Sequence, residues 1–557
     1  MCYNRLPLVD KMRKKLLIIF VALIMMFGTL AGCGNSYPQF DVKETPDKSY
    51  AVTSNGGMAV QWGDFIYFIN GYKAITDTDG KNNKWGDVVK GGIYYAKLTQ
   101  GKKDTTTDYY GEYSTYYNST DNEFNDEFSG FVTEKKTYEE NDEEKEIDQI
   151  AVNPVVPKLI TNGGYLNGGL YIIDDYIYYT SPNTLKDKKG NIQYNLVDFY
   201  RTRVDGKNTE FLFRSKSTAT KPVYGYYKID NSVYVVVYEA SEKKIYSVRV
   251  TSKKIYDEKV LADNVTSAIL PQKDVYYPTI SQDMPEDYIY YTREIDSKSD
   301  IETEGNIVER VRADSSDRKK ILSNVQTTLD KVSQGNLFYF NQDSNYKYYK
   351  AQNLVGFNND KENNKAPIEV FSETVASAPV TVFGIMYGEN DFVAIGVTSS
   401  STVRYEFGES TYSTVLNKKT KIFNVIGNEA FYVEDTTTQD ANTGETTALT
   451  TGILYKMNYF TGEYQAITSK DIKVDFLNID IAGGYVFYIS SYNEIAESVE
   501  NKDDELVPVL AKTSEYLRVQ SLISSTGKEW DLGKLDKKDY PDPDAETTDT
   551  ETTDTAE

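Results

Sequence analysis

Histidine is absent from all 557 residues, and that absence removes more chemistry than any motif here supplies. Ser-His-Asp and Cys-His catalysis, zinc sites built on imidazole and imidazole-based pH sensing are excluded. The two cysteines, Cys2 and Cys33, both lie at the extreme N-terminus, so no disulfide framework can form. An enzyme made from this chain would have to work through carboxylates, Tyr, Ser or Lys, and paired acids do hydrolyse glycosidic bonds. With 84 Asp and Glu residues in the chain, no pair stands out. For hard cations, Asp77-Thr78-Asp79-Gly80 with Asn82, Asn83 and Asp87 gathers several oxygens within a dozen residues. Gly80 comes too early for an EF-hand loop, whose glycine takes the sixth position, so Asp77, Asp79 and Asp87 fit a surface turn as well as a Ca2+ site. No other cofactor is expected. Tyr109, Tyr110, Tyr116 and Tyr117 stand in an acidic stretch and are the Tyr residues best placed to touch a partner.

The elements that would position such residues are legible as a repeat. Asp175-Tyr176-Ile177-Tyr178-Tyr179, a turn-forming acid and then a strand of Ile and Tyr, returns at residues 64–68, 231–235, 287–291, 335–339, 390–394, 428–432 and 484–488, with a common step near 56 residues. A second phrase follows most copies, best seen in Phe199-Tyr200-Arg201-Thr202-Arg203-Val204-Asp205-Gly206, where a strand ends in an Asp-Gly turn. Its partners include Gly92 to Leu98, Ile245 to Val250, Tyr348 to Ala351, Leu454 to Tyr459 with Thr461-Gly462, and Tyr516 to Val519. The 48 Tyr and 23 Phe suit pleated, half-buried surfaces and favour an all-β class. At the repeat positions the Tyr rings are expected to pack between sheets rather than bind ligand.

The pattern D-x-I-Y-Y followed by L-Y-R-x-x-x-D-G resembles the propeller repeats of secreted bacterial proteins of the Tol-B-like and YWTD-like kind, especially the large propellers common in lipoproteins of low-GC Gram-positive bacteria. The resemblance implies a β-propeller of about eight, alternatively seven, four-stranded antiparallel blades over residues 58–531. Stacked β-sandwiches are the rival architecture. The copy at Asn390 is degenerate, with Val393-Ala394 where Tyr-Tyr would stand, and the step of about 38 residues to Asn428 suggests a reduced unit. Residues 308–312 lack the Tyr of the second phrase. Residues 100–152 read as an acidic, partly disordered insertion with little apolar alternation, and the Ala496 to Asn501 neighbourhood as a short turn in a loop. Ser525-Thr526-Gly527-Lys528-Glu529-Trp530 keeps only the Gly-to-Trp spacing of the sialidase box and reads as a turn beside a buried Trp. Residues 532–557, acidic and rich in Thr, form a disordered tail.

At the N-terminus, Lys11, Arg13, Lys14 and Lys15 precede a mostly apolar run from Leu16 to Leu30 and then Ala31-Gly32-Cys33. That order is a secretory signal over residues 1–32, with Met12 an alternative start. Leu30-Ala31-Gly32-Cys33 resembles the lipobox of bacterial lipoproteins, which implies diacylglyceryl transfer to Cys33, cleavage before it, and retention on the outer face of the cytoplasmic membrane. Residues 33–57, polar and punctuated with Pro, would be a flexible tether. The formal net charge of -23 repels phosphate backbones, and no basic stripe with aromatics occurs beyond the signal, so nucleic acid is not an expected partner. The expected function is a lipid-anchored envelope module that binds or scaffolds a protein or glycan. The alternatives are a carboxylate-dependent glycan hydrolase at the propeller mouth and an envelope assembly factor.

Overall fold

A computed structural model describes residues 59–532 with breaks, the longest at 71–91, 98–116, 157–168, 272–286, 358–365 and 522–529; residues 1–58 and 533–557 lie outside the described residues. The described chain is all-β and carries eight four-stranded antiparallel sheets. Each takes its strands from one continuous stretch of sequence, and they are numbered here as blades 1 to 8. The D-x-I-Y-Y phrase falls on the second strand of every blade: Phe65–Asn70, Tyr176–Pro182, Ser232–Glu239, Tyr288–Arg293, Asn336–Gln342, Asp391–Val397, Glu429–Glu434 and Tyr485–Glu500. The second phrase supplies third strands, such as Val197–Arg203 in blade 2.

A second strand has a neighbour on each side in its own sheet and another blade against each face, which explains its unbroken run of apolar residues. In blade 2, Ile177, Tyr178 and Tyr179 are all buried. Tyr178 faces blade 3, with its ring centroid 5.3 Å from that of Tyr226. Its neighbour Tyr179 stacks on Tyr200 of the same sheet and shares a 3.1 Å hydroxyl hydrogen bond with Thr202. Fully burying one such ring is worth roughly 2 to 3 kcal/mol. The preceding turn contains a left-handed residue, Asp174 at φ 56° and Asp230 at φ 51° in blades 2 and 3. Asp tolerates that conformation better than most side chains do. The left-handed acid in these two turns is thus the residue before the phrase.

Continuous cores join blade 2 to 3, 3 to 4, 4 to 5, 5 to 6 and 6 to 7. Between blades 1 and 2, Trp62 Nε1 donates to Asp174 O at 3.0 Å and the Tyr67 hydroxyl to Val204 O at 3.0 Å. First strands of neighbouring blades approach one another, including blade 7 with blade 8 and blade 8 with blade 1, so these strands are innermost. Phe68 of blade 1 meets Phe487 of blade 8 at 5.7 Å. The sheets therefore close into a propeller ring, the arrangement that hides the apolar faces of the terminal blades.

Three details refine the sequence reading. The Ala496 neighbourhood is no loop turn: Tyr485–Glu500 and Leu506–Ser521 pair as one long hairpin. The other two strands of blade 8 pair only near its base, at Tyr485 to Tyr488 and Arg518 to Val519. Within the blade 1 insertion, Thr133–Glu140 pairs with Glu143–Ile150, with Lys135 Nζ 2.9 Å from Glu146 across the strands. This polar hairpin forms without the apolar alternation by which strands are usually recognised. Around Asn390, the degenerate copy belongs to a complete blade 6 whose turns are short.

Candidate functional site

Of the side chains singled out by sequence, Cys33, Asp77, Asp79, Asp87, Tyr109, Tyr110 and Tyr116 lie outside the described residues. Tyr117 is described in its backbone alone, pairing with Phe124 in a two-residue ladder. Among the described residues no group of three or more Asp, Glu or Cys side chains is arranged to hold a metal ion. Trp530 sits half-buried on the last strand of blade 8, opposite Val519.

Two acids of blade 4 converge, and they show what a carboxylate pair does in this ring. Glu309, on the third strand Asn306–Arg312, and Asp300, in the preceding loop, share the Arg293 guanidinium. Arg293 donates to Asp300 through Nη1 at 2.6 Å and Nη2 at 2.9 Å, and to Glu309 through Nη2 at 2.8 Å. The Tyr291 hydroxyl donates to the other Glu309 oxygen at 2.7 Å. The hydrogen bonds from Arg293, followed by the Asp296 backbone N–H, hold the Asp300 carboxyl well below the usual carboxylate range. Asp300 therefore stays ionised and cannot serve as a general acid near neutral pH. This cluster ties a loop to a sheet.

Exposed rings braced by neighbouring residues occur at the outer lip between blades 6 and 7. Blade 6 contributes its third and fourth strands, Thr402–Glu406 and Ser413–Leu416, and blade 7 the turn joining Leu454–Asn458 to Tyr464–Ala466. Asn458 Oδ1 accepts the backbone N–H groups of Phe460 at 2.9 Å and Thr461 at 3.2 Å, while the Gly462 N–H donates to Asn458 O at 2.8 Å. Gly462 has φ 76°, and a Cβ there would lie 3.2 Å from Val415 O. Glycine fits this turn without the strain that a side chain at that φ, pressed against blade 6, would bring.

Arg404 of blade 6 secures the turn from beneath. Its Nη1 donates to Tyr459 O at 3.0 Å and Phe460 O at 2.8 Å, and its Nη2 pairs with Glu406 at 2.7 Å. The guanidinium carbon lies 5.2 Å from the Phe460 ring centroid, within cation–π range. Phe460 nevertheless keeps 40% of its surface exposed and Tyr464 54%. Tyr464 meets Tyr455 edge-on at 6.0 Å, and Tyr455 stacks on buried Tyr432 at 5.5 Å. Lys418 of the same lip pairs with Glu434 at 2.5 Å, and that hydrogen bond raises its pKa. An exposed ring braced in this way can stack on a flat apolar face.

Sequence reasoning does not single out Phe460 and Tyr464. Leu454 to Tyr459 with Thr461-Gly462 is recognisable as strand and turn, but nothing in their types separates these rings from the buried ones of the repeat. The Gly462 turn is the one available sign.

No protein-family model and no curated relative matches the chain. Solved structures do. An oligogalacturonate lyase in complex with manganese aligns over 70% of this chain and 96% of its own, with 10% identity and a TM-score of 0.29. Oligopeptidase B from Leishmania major aligns over 63% of this chain at 11% identity and a TM-score of 0.30, and the match spans about half of that protein, 53%. The β-propeller domain of the Trilobed protease from Pyrococcus furiosus aligns over 57% and 99%, at 12% identity and a TM-score of 0.25. Likeness at this level says nothing of activity. The protein is a β-propeller by its own eight sheets.

Proposed function

We propose that the chain is a lipid-anchored β-propeller of the cell envelope that binds or scaffolds a protein or glycan partner. The observation that carries the binding role is the lip: Phe460 and Tyr464 remain exposed although Arg404, Asn458 and Gly462 hold their supports in place. Rigid exposed rings lose little freedom on association, so the affinity they supply is not consumed by ordering. The Leu30-Ala31-Gly32-Cys33 run supports the anchor, and the polar residues 33–57 would give the ring reach from the membrane.

The test uses the detergent-solubilised full chain on a glycan array and in pull-downs from envelope extracts, beside a Phe460→Ala/Tyr464→Ala variant. A ligand retained by the parent and lost by the folded variant supports the reading. Equal capture by both moves the site elsewhere, and no capture by either removes the binding role. Anchoring is tested separately: Cys33→Ala should leave the membrane fraction or retain the mass of the unprocessed chain, and an unchanged fraction and size would refute it.

A further inference from the structure

We infer that the described end of the blade 1 insertion, Phe131 and Val132 with the strands Thr133–Glu140 and Glu143–Ile150, is a strap that holds the ring shut, and that the junction of blades 8 and 1 is where the ring opens first. Blade 1 is built from Ala59–Trp62, Phe65–Asn70, Gly92–Lys97 and Val152–Val156, and blade 8 from Ile479–Ala482, Tyr485–Glu500, Leu506–Ser521 and Trp530–Asp531. Among the described residues, neither blade borrows a strand from the other end of the chain. Among the described residues the seam carries no shared ladder of backbone hydrogen bonds, and the aromatic contacts across it are between side chains.

The insertion supplies such contacts. On blade 1 it is tied by backbone: Val132 N donates to Lys97 O at 2.8 Å, Ala151 N to Val132 O at 2.9 Å, and the chain continues directly into the fourth strand. Toward blade 8 it presents Phe131, which is buried and whose ring lies 4.2 Å from that of Tyr485. The limb Glu143–Ile150 approaches Trp530–Asp531 of blade 8. The strap is therefore fixed by hydrogen bonds on one side of the seam and by ring packing on the other. Ring packing is the part that can release without breaking a sheet. Phe68 and Phe487 meet across the same seam, so Phe131 against Tyr485 is a second aromatic contact among the described residues there.

Hydrogen exchange read by mass spectrometry on the full chain tests this. Phe131→Ala should speed amide exchange in residues 59–62 and 479–482 by at least about tenfold, because truncating a buried aromatic costs several times RT. Residues 223–263, in blade 3, should exchange as before. If Phe131→Ala does not fold, Phe131→Leu should show a smaller change with the same distribution. A Phe131→Cys/Tyr485→Cys pair, oxidised in a Cys2→Ser/Cys33→Ser background, should slow exchange at the seam below the parent. Faster exchange in all blades alike, or no change at the seam in a folded variant, would overturn the strap.

Discussion

Replacing Arg293 with Met keeps most of the side chain's length and removes the cation between Asp300 and Glu309. The side chains of Arg293, Asp300 and Glu309 are 16%, 6% and 9% exposed, so solvent cannot substitute for the lost guanidinium. Leaving buried Glu309 without that partner costs about 3 to 5 kcal/mol, and the lower figure suits this loop-edge site, where Arg318 still stands 3.9 Å from Glu309. Spread over the unfolding entropy of about 470 residues, about 3 kcal/mol lowers Tm by about 3 °C, and by more if blade 4 melts on its own. The pH dependence is the sharper test. The folded pKa of Asp300 lies below its unfolded value, so its contribution is fully present above the unfolded pKa and fades as pH falls through the folded one. Thermal unfolding of parent and Arg293→Met should therefore differ by a constant amount from pH 7 down to about 5, and the difference should shrink progressively as pH falls below about 4. A variant as stable as the parent at pH 7, or a difference unchanged at pH 3, would refute this account of the cluster.

Glu239, buried in blade 3, accepts the backbone N–H groups of Lys216 at 2.6 Å and Ser217 at 3.0 Å and the Tyr246 hydroxyl at 3.1 Å. Glu239→Ala should cost about 3 kcal/mol in denaturant unfolding and Glu239→Gln clearly less, since the amide retains one acceptor oxygen. Gly396→Ala should destabilise by about 1 to 3 kcal/mol, because its Cβ would lie 2.8 Å from Pro379 Cγ; a Tm equal to the parent's would show that the proline yields. Burial pushes Tyr95, Tyr178, Tyr288 and Tyr339 up to about 12, because water is lost around the phenolate. Because the folded pKa lies above the unfolded value near 10, these groups stabilise the fold fully below about pH 10, and that stability is lost as pH rises toward 12. Absorbance titration of phenolate should show a class of Tyr that ionises only with alkaline unfolding; smooth titration of every Tyr near pH 10 would contradict the burial.

Much of this fold is legible in the sequence. The eight copies of the D-x-I-Y-Y phrase fall one to a blade, because each second strand is enclosed by neighbours on every side and meets the same demand for Ile and Tyr. Blade 6 shows how little of the phrase is needed. Val393 and Ala394 stand where Tyr-Tyr would, yet both are buried and the sheet is complete, since burial asks for an apolar side chain of fitting size rather than for Tyr itself. The hairpins are harder to see. Those at Thr133–Glu140 and Tyr485–Glu500 extend beyond the four-stranded sheets, and the residues that do so lack the regular apolar alternation by which strands are recognised.

By itself, the sequence determined the all-β class, the repeat, the absence of imidazole chemistry and the acidic charge, because these follow from residue types and from a period set by local burial. The tertiary structure alone decided which rings are scaffold and which face solvent. Tyr178 and Tyr464 are the same residue type on strands of the same propeller, yet the first is enclosed by blade 3 and the second stands on an outer edge. It also decided that Arg293 holds Asp300 and Glu309 together, and that Phe131 reaches Tyr485, 354 positions away in the chain. Such neighbours are created by closing the ring, and no local pattern in the sequence records them.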